Sequence, residues 1–139
     1  MALGTSNSSF TDFSVSFLED GLKRRIEKSL QEKDQLRKAL GKTLSKRADA
    51  KDPHKLQILD ATAGLCRDSL RMSYWGHHVW ACERSPALAL SLEKAYQEAL
   101  SDDFYKEWLN RLTIVSDSTE SFLAQTKIVF DVIVIDPMF

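Results

Sequence analysis

The chain has 139 residues, of which 43% are hydrophobic and 28% are charged, and its net charge is −1. These values predict one soluble globular domain. No apolar run reaches the roughly 18 residues of a membrane helix, and the N-terminus lacks the basic and apolar blocks of a secretory signal. Two distant cysteines without a CxxC motif argue against structural zinc. We therefore expect a cytoplasmic protein without a metal site.

Charge is unevenly distributed along the chain. Residues 20–55 contain 12 Lys and Arg against 6 Asp and Glu, a net of +6, so the remainder carries −7. A basic segment before an acidic body predicts a surface for a polyanion, although an ordinary solvated helix face gives the same pattern. The clustered cations are Lys23, Arg24, Arg25, Lys28, Arg37 and Lys38.

The pattern of residues 1–55 predicts a small basic extension with a hairpin and a short helix. In residues 13–17, FSVSF alternates apolar residues with serines as a half-buried strand does, and Asp20-Gly21 is a hairpin turn signal. Apolar residues at every fourth position from Leu22 to Leu30 favour a helix over residues 19–31 instead. Of the two, we favour the hairpin. The segment KDQLRKALG then predicts a helix that ends at Gly41, followed by an exposed linker to residue 55.

From residue 56 the sequence alternates between strand and helix patterns. The predicted strands are LQILD, HVWACE, LTIVSD and a fourth within IVFDVIVIDPMF, and the predicted helices are RDSLRMSYW, SPALALSLEKAYQEAL and TESFLAQT. This alternation predicts an α/β fold with a parallel sheet wound in right-handed βαβ units. The fourth strand, FDVIVI, is apolar on both faces, as expected of a parallel strand that is covered on both sides.

The first strand ends at Asp60, on the side where an open parallel sheet binds ligands. The small residues of Ala61–Gly64 keep the next turn narrow, which lets a ligand approach the backbone. A helix begins there, and its free N–H groups favour polar ligand atoms. An ordinary strand-to-helix turn in which the aspartate caps the helix would have the same sequence pattern.

Two further strands end in polar residues on the same side. Glu83 ends the second strand nineteen residues after Gly64, a separation typical of an acid that accepts hydrogen bonds from ribose hydroxyls, unless it pairs with Arg84 instead. Residues 116–119 end the third strand as Ser-Asp-Ser-Thr, where they either reach an adenine edge or cap the next helix.

The fourth strand ends in Asp136-Pro137-Met138-Phe139. Proline fixes the backbone where the strand leaves the sheet. A carboxylate followed by an aromatic side chain suits a planar ring that bears an amino group, because the carboxylate holds the N–H and the aromatic ring stacks. Ordinary turn chemistry at the end of a strand is the alternative.

The segment DATAGLCRDSL, the pair Glu83-Arg84, the segment RLTIVSDST and the terminal DPMF together resemble a known family. They are similar to the class I S-adenosylmethionine (SAM) methyltransferases. Within these they resemble the RsmJ family, which methylates the exocyclic N2 of a guanine in small-subunit ribosomal RNA. That family has DATAGLGRD, so Cys66 stands in place of a glycine. The resemblance covers residues 56–139, and the basic stretch before them matches less well.

The resemblance implies a Rossmann-like class I methyltransferase fold with strand order 3-2-1-4, which further strands continue in the family. Residues 56–139 would form the N-terminal half of the SAM-binding domain, and residues 1–55 its basic extension. SAM would be the cofactor, and small-subunit ribosomal RNA would be the partner of the basic cluster. The implied cofactor contacts are Asp60, Gly64, Arg67, Asp68, Glu83, Arg84, Asp117, Ser118, Thr119 and Asp136, and the implied catalytic residues are Asp136, Pro137 and Phe139.

Several alternatives stay open on the sequence alone. An NAD-linked Rossmann oxidoreductase is disfavoured because GxGxxG is absent. A cofactor-binding or RNA-binding remnant, or a fragment completed by another polypeptide, is the main alternative to an active methyltransferase. In that last case the outer edge of the fourth strand predicts a homo-oligomer or pairing with a C-terminal piece. The exchange of glycine for Cys66 predicts weaker cofactor binding.

Overall fold

The computed structural model describes residues 14–46 and 55–137. Two helices, α1 (Asp20–Lys28) and α2 (Gln35–Ser45), precede the sheet. The remaining elements are β1 (Gln57–Asp60), α3 (Arg67–Tyr74), β2 (His78–Glu83), α4 (Pro86–Ala99), a 3-10 turn (Leu109–Arg111), β3 (Leu112–Ser116), α5 (Thr119–Gln125) and β4 (Val132–Val134). Phe139 of the predicted catalytic set and most of the predicted linker lie outside the described residues.

The four strands form one parallel sheet in the order β3-β2-β1-β4. β1 lies between two neighbours, so that Leu59 is opposite Trp80 of β2 and Ile133 of β4. The predicted α/β fold and strand order are confirmed. Parallel pairing places the carboxyl ends of all four strands together. We call this edge the rim and define it as residues 60–64, 83–85, 116–119 and 134–137.

The hydrophobic core lies between the sheet and helices α3 and α4. Ile58 and Val79 of the strands belong to one buried cluster with Leu70 of α3 and Leu92 of α4. Helix α4 begins as predicted, because the Ser85 side chain caps its first turn and proline occupies its first position. None of the helices in the described part of the chain is long and apolar enough to cross a membrane.

Residues 14–46 pack onto this same core. The apolar side chains that join it from this segment include Phe17, Leu22, Ile26 and Leu40. The Lys23 ammonium pairs with Asp102 at 2.7 Å. The Trp75 indole N–H donates to the Ser29 hydroxyl at 2.8 Å, which joins the end of α1 to the end of α3.

Two predictions for the N-terminal segment are wrong. The hairpin at Asp20-Gly21 does not form, because residues 20–28 are helical and bury Leu22 and Ile26 on one face. The helix predicted to end at Gly41 continues to the end of α2. A glycine inside a helix costs only about 1 kcal/mol relative to alanine, and burial of Leu40 offsets that cost.

The expectation that β4 is covered on both faces is also wrong for the residues described. Ile133 is 48% exposed and Ile135 is 67% exposed. No strand within residues 14–46 and 55–137 pairs with the outer edge of β4. An apolar surface therefore adjoins a strand edge with free backbone N–H and C=O groups.

Candidate functional site

Asp60 at the end of β1 has a buried carboxylate, and the residue is only 2% exposed. It accepts hydrogen bonds from the Ser69 hydroxyl at 2.6 Å and from the Thr62 backbone N–H at 3.2 Å. Burial raises the pKa of Asp60 above its ordinary value, and the two hydrogen bonds oppose that rise. Asp60 thereby anchors the turn after β1 to α3. The sequence gives no sign that Ser69 binds Asp60, because a serine inside a helix belongs to no recognisable motif.

The turn after β1 contains two residues with a left-handed backbone. The φ angle is +53° at Gly64 and +62° at Cys66. This conformation costs a residue with a side chain roughly 1–2 kcal/mol, which accounts for the glycine that the resembled family has at the position of Cys66. A Cβ placed on Gly64 would meet no atom within 4 Å, so the space beside this part of the turn is open.

The Cys66 side chain is buried in the hydrophobic core. Burial raises the pKa of its thiol, with smaller contributions from the charges of Asp60 and Glu83. The thiol therefore stays protonated and unreactive. Any weakening of cofactor binding by Cys66 would come from backbone strain rather than from the thiol, and it stays a prediction.

Glu83 ends β2 at the rim. One carboxylate oxygen accepts a hydrogen bond from the Ser85 N–H at 3.0 Å. Within residues 55–137, no ion pair joins Glu83 to Arg84, so the simple surface-pair explanation is wrong. The second carboxylate oxygen is left to accept a hydrogen bond from a ligand. The Arg84 side chain is exposed next to it in the chain.

The hydroxyl groups of Ser118 and Thr119, which follow β3, form hydrogen bonds within the protein. The Ser118 hydroxyl caps α5 by accepting from the Ser121 N–H at 3.1 Å. The Thr119 hydroxyl donates to the carbonyl of Ala61 at 3.1 Å. One Asp117 oxygen accepts from the Ser118 N–H at 2.8 Å, which leaves its other oxygen for a ligand. The structure thus places all three predicted residues at the rim and shows that capping accounts for Ser118.

Asp136 is positioned by the turn after β1. Its backbone N–H donates to the Thr62 hydroxyl at 2.7 Å, and the Val134 carbonyl accepts from the Ala61 N–H at 2.9 Å. We call the Thr62–Asp136 and Thr119–Ala61 hydrogen bonds the threonine clasp. The clasp joins the turn after β1 to the segments that follow β3 and β4. Asp136 and Pro137 themselves are exposed to solvent.

Three of the predicted acids, Asp60 and Asp136 at the rim and Asp68 in the first turn of α3, lie close enough to influence one another electrostatically. Burial and the charge of Asp136 raise the pKa of Asp68. The charges of Asp68 and Asp136 also contribute to the raised pKa of Asp60. An acidic rim favours a ligand that carries a positive charge. No group of three or more His, Cys, Asp or Glu residues in the described ranges is arranged to hold a metal ion.

The six predicted RNA-binding cations do not all line one cavity. Lys23 is paired with an aspartate of the body, and the Arg37 guanidinium donates to the carbonyl of Leu30. Arg37 and Lys38 line an open cavity of about 630 Å³ formed by residues 32–38, which contains no rim residue. Arg25 and Lys28 instead line a cleft that also contains Arg67 and Asp68.

We predict that Thr62→Val releases Asp136 from the turn after β1. The Asp136 N–H loses its acceptor, and a hydrogen bond of this kind contributes about 1 kcal/mol, so its exchange with solvent should become about fivefold faster. Native-state hydrogen exchange followed by NMR measures this rate. Thr62→Ser keeps the hydroxyl and serves as the matched control. If the Asp136 amide exchanges as slowly in the valine variant as in the unsubstituted chain, the Thr62 hydroxyl does not protect this amide.

Comparison with known proteins identifies the family. Residues 3–139 match the family model described as "Putative SAM-dependent methyltransferase". The chain is 38% identical over 85 residues to the ribosomal RNA small subunit methyltransferase J of Francisella tularensis subsp. novicida (strain U112), which covers 61% of this chain and 35% of that protein. It is 40% identical over 87 residues to the protein of the same name from Acinetobacter baylyi, which covers 59% of this chain and 32% of that protein.

A solved structure shares the fold. The crystal structure of the SAM-dependent methyltransferase NGO1261 from Neisseria gonorrhoeae matches with a TM-score of 0.67 and 24% identity, over 91% of this chain and 49% of that chain. The matched segment spans about a third of the length of the curated relatives. Because the family model matches nearly the whole sequence, the chain belongs to this family of SAM-dependent methyltransferases.

Proposed function

We propose that the chain binds SAM at the rim and takes part in methylation of the exocyclic N2 of a guanine in small-subunit ribosomal RNA. The observation that carries this proposal is the convergence of Asp60, Glu83 and Asp136 at the carboxyl ends of three neighbouring parallel strands. The names of the two curated relatives support ribosomal RNA as the substrate. In this proposal residues 56–139 form the SAM-binding N-terminal half of the domain and residues 1–55 its basic extension.

The residues at the rim fit SAM. The unengaged oxygen of Glu83 suits a ribose hydroxyl, because a carboxylate accepts strong hydrogen bonds. The open space beside Gly64 admits the methionine portion, whose approach to the backbone requires a narrow turn. The second oxygen of Asp117 suits an adenine amino group. Because Asp136 at the rim and Asp68 in the first turn of α3 add negative charge here, the potential suits the positive sulfonium of SAM.

Methyl transfer requires alignment rather than a protein nucleophile. SAM supplies an electrophilic methyl group bound to a sulfonium. The Asp136 carboxylate accepts a hydrogen bond from the guanine amine, which localises the nitrogen lone pair and directs it at the methyl group. As the N–C bond forms and the S–C bond breaks, the nitrogen gives up one proton, which passes to the exposed Asp136 carboxylate and on to solvent. The Thr62 hydroxyl keeps the backbone of Asp136 in place. Pro137 has a fixed φ angle and so restricts the backbone where the strand leaves the sheet, and in this proposal Phe139 stacks on the displaced base.

We propose further that the outer edge of β4 receives an additional strand, from a second copy of the chain or from a separate C-terminal piece. The exposed Ile133 and Ile135 and the unpaired edge support this, because such an edge readily accepts another strand. Sedimentation velocity of the purified chain measures self-association. A cytoplasmic location fits a ribosomal RNA substrate and the two free cysteines.

Replacing Glu83 with alanine tests cofactor binding. We expect SAM affinity to fall by roughly ten- to a hundredfold, because carboxylate hydrogen bonds are worth about 1.5–3 kcal/mol. Isothermal titration calorimetry measures the change. Glu98→Ala, at the far end of α4, removes an exposed acid away from the rim and should leave the affinity unchanged. Unchanged SAM binding by the Glu83 variant would remove this residue from the site, and preferential NADH binding would contradict the proposed cofactor.

Replacing Asp136 with asparagine tests the proposed chemistry. The variant keeps the size of the side chain but loses the negative charge that localises the amine lone pair, so we expect methyl transfer to fall by about a hundredfold. The assay follows labelled methyl from SAM into small-subunit ribosomal RNA and identifies the product by nucleoside mass spectrometry. Asp103→Asn changes an exposed acid outside the rim and is the control. Label on a nucleoside other than N2-methylguanosine, or full activity of the asparagine variant, contradicts this chemistry.

A further inference from the structure

Arg71 of α3 joins two acids that lie far apart in the chain. Its guanidinium forms ion pairs with Asp68, three residues earlier on the same helix, and with Asp34, which precedes α2. The guanidinium is 2.9 Å from the Asp68 carboxylate. It also lies over the Trp75 ring, 5.2 Å from the ring centre, where a cation is attracted to an aromatic face. Three side chains therefore hold Arg71 in one orientation.

Asp34 is itself fixed in place. One of its oxygens caps α2 by accepting a hydrogen bond from the Arg37 N–H at 3.0 Å, and the other binds Arg71. The Asp34 side chain is 17% exposed and the Arg71 side chain is 23% exposed, so water screens this ion pair only in part. Asp34 thus connects the beginning of α2 to α3 with both of its oxygens engaged.

Arg71 engages only one of the two oxygens of Asp68. It donates to Oδ1, and within residues 14–46 and 55–137 the Oδ2 atom accepts no hydrogen bond. The Asp68 side chain is partly exposed. Its carboxylate lies close enough to the rim for its charge to contribute to the raised pKa of Asp60. One oxygen of Asp68 is therefore fixed by Arg71, and the other is left for a ligand at the rim.

Within the proposed function, Asp68 is placed beside the methionine portion of SAM. Glu83 and Asp117, at the ends of β2 and β3, suit the ribose and the adenine. The open turn at Gly64 admits the methionine portion, and Asp68 follows that turn in the first turn of α3. The methionine portion contains an ammonium group, which a carboxylate binds through charge-assisted hydrogen bonds. The unengaged oxygen of Asp68 suits this ammonium.

A carboxylate in this position needs a neighbouring cation to stay ionised. Burial and the charge of Asp136 raise the pKa of Asp68, which favours the protonated form. A guanidinium at hydrogen-bond distance favours the ionised form and fixes the carboxylate through its planar geometry. In the described ranges, Asp68 forms no ion pair with the other charged side chains that line its cleft, which are Arg25, Lys28, Arg67 and Glu32.

We propose that Arg71, held by Asp34, is a positioning residue that orients the Asp68 carboxylate toward the ammonium group of SAM. The inference rests on the proposed function and deepens it, because it makes the N-terminal segment contribute to cofactor affinity through one ion pair. Neither Arg71 nor Asp34 belongs to the site predicted from the sequence. No local pattern connects these two residues, which only the tertiary structure brings together.

The test compares the binding of two ligands by isothermal titration calorimetry. One is SAM, and the other is methylthioadenosine, which lacks the amino-acid portion. Arg71→Met removes the guanidinium but keeps an aliphatic stem, and Asp34→Asn keeps a capping side chain but loses the charge. We expect SAM affinity to fall about tenfold in the first variant and about threefold in the second, with unchanged affinity for methylthioadenosine. Arg71→Lys should restore part of the SAM affinity.

A matched control breaks a comparable ion pair elsewhere. Lys106 pairs with Asp103, also three residues apart on the chain. Lys106→Met should leave the affinity for both ligands unchanged, because this exposed pair lies outside the rim.

Two further measurements show whether Arg71 acts through Asp68. In a chain that already contains Asp68→Asn, the Arg71→Met substitution should cause no additional loss of SAM affinity. The pKa of Asp68 in the free chain, followed by the NMR signal of its carboxyl carbon, should be higher in Arg71→Met than in the unsubstituted chain. As the pH is lowered, SAM binding by this variant should therefore weaken at a higher pH.

Each contrary result overturns a different claim. Unchanged SAM affinity or an unchanged pKa of Asp68 in Arg71→Met overturns the role of Arg71 and leaves the proposed function standing. An equal loss for both ligands, or an additive loss in the Asp68→Asn chain, assigns Arg71 to the stability of the fold and overturns its positioning role. Failure of the unsubstituted chain to bind either ligand contradicts the proposed SAM site and this inference with it. If circular dichroism shows that Arg71→Met is unfolded, Asp34→Asn and Arg71→Lys decide the question by the same contrast between the two ligands.

Discussion

The buried carboxylate of Asp60 requires hydrogen-bond partners, because an ion removed from water without them costs several kcal/mol. Its two observed partners, the Ser69 hydroxyl and the Thr62 N–H, come from α3 and from the turn after β1. Because both hydrogen bonds form at the end of β1, they fix the turn that joins β1 to α3. That turn then carries the Thr62 hydroxyl to Asp136 and the Ala61 carbonyl to Thr119. The arrangement of the rim therefore depends on the hydrogen bonds that the protein donates to the buried Asp60 carboxylate.

The acidic rim limits which ligands can bind there. Acidic side chains at the rim suit a cationic cofactor, but they would repel a nucleic acid backbone. Arg25, Lys28 and Arg67 line a neighbouring cleft together with Glu32 and Asp68. The packing of α1 against α3, through Ile26 and the Trp75–Ser29 hydrogen bond, holds the two sides of this cleft together. Helix α1 is therefore part of the same folded unit as the sheet.

The sheet and its rim were predictable because their signals are local. Strands alternate with helices, and Asp60, Glu83 and Asp136 follow the strands directly, so topology alone brings them together. The helix at residues 20–28 was the less favoured of two predictions, because burial of the Leu22 side chain against the core, which outweighs the local turn signal, is a tertiary effect. The roles of Ser69 and Thr62 depend on which side chains the fold brings to them. Arg25 and Arg67 line the same cleft only because of the tertiary structure, which no local pattern records.

We propose that SAM binds at the rim, over the carboxyl ends of the four strands. Titration of the isotope-labelled chain with SAM, followed by two-dimensional amide NMR, tests it most directly. We expect the largest changes in chemical shift in residues 60–66, 83–85 and 116–119 and at Asp136, with little change in residues 32–38. Changes centred on the cavity formed by residues 32–38, or no change at saturating SAM, would contradict it.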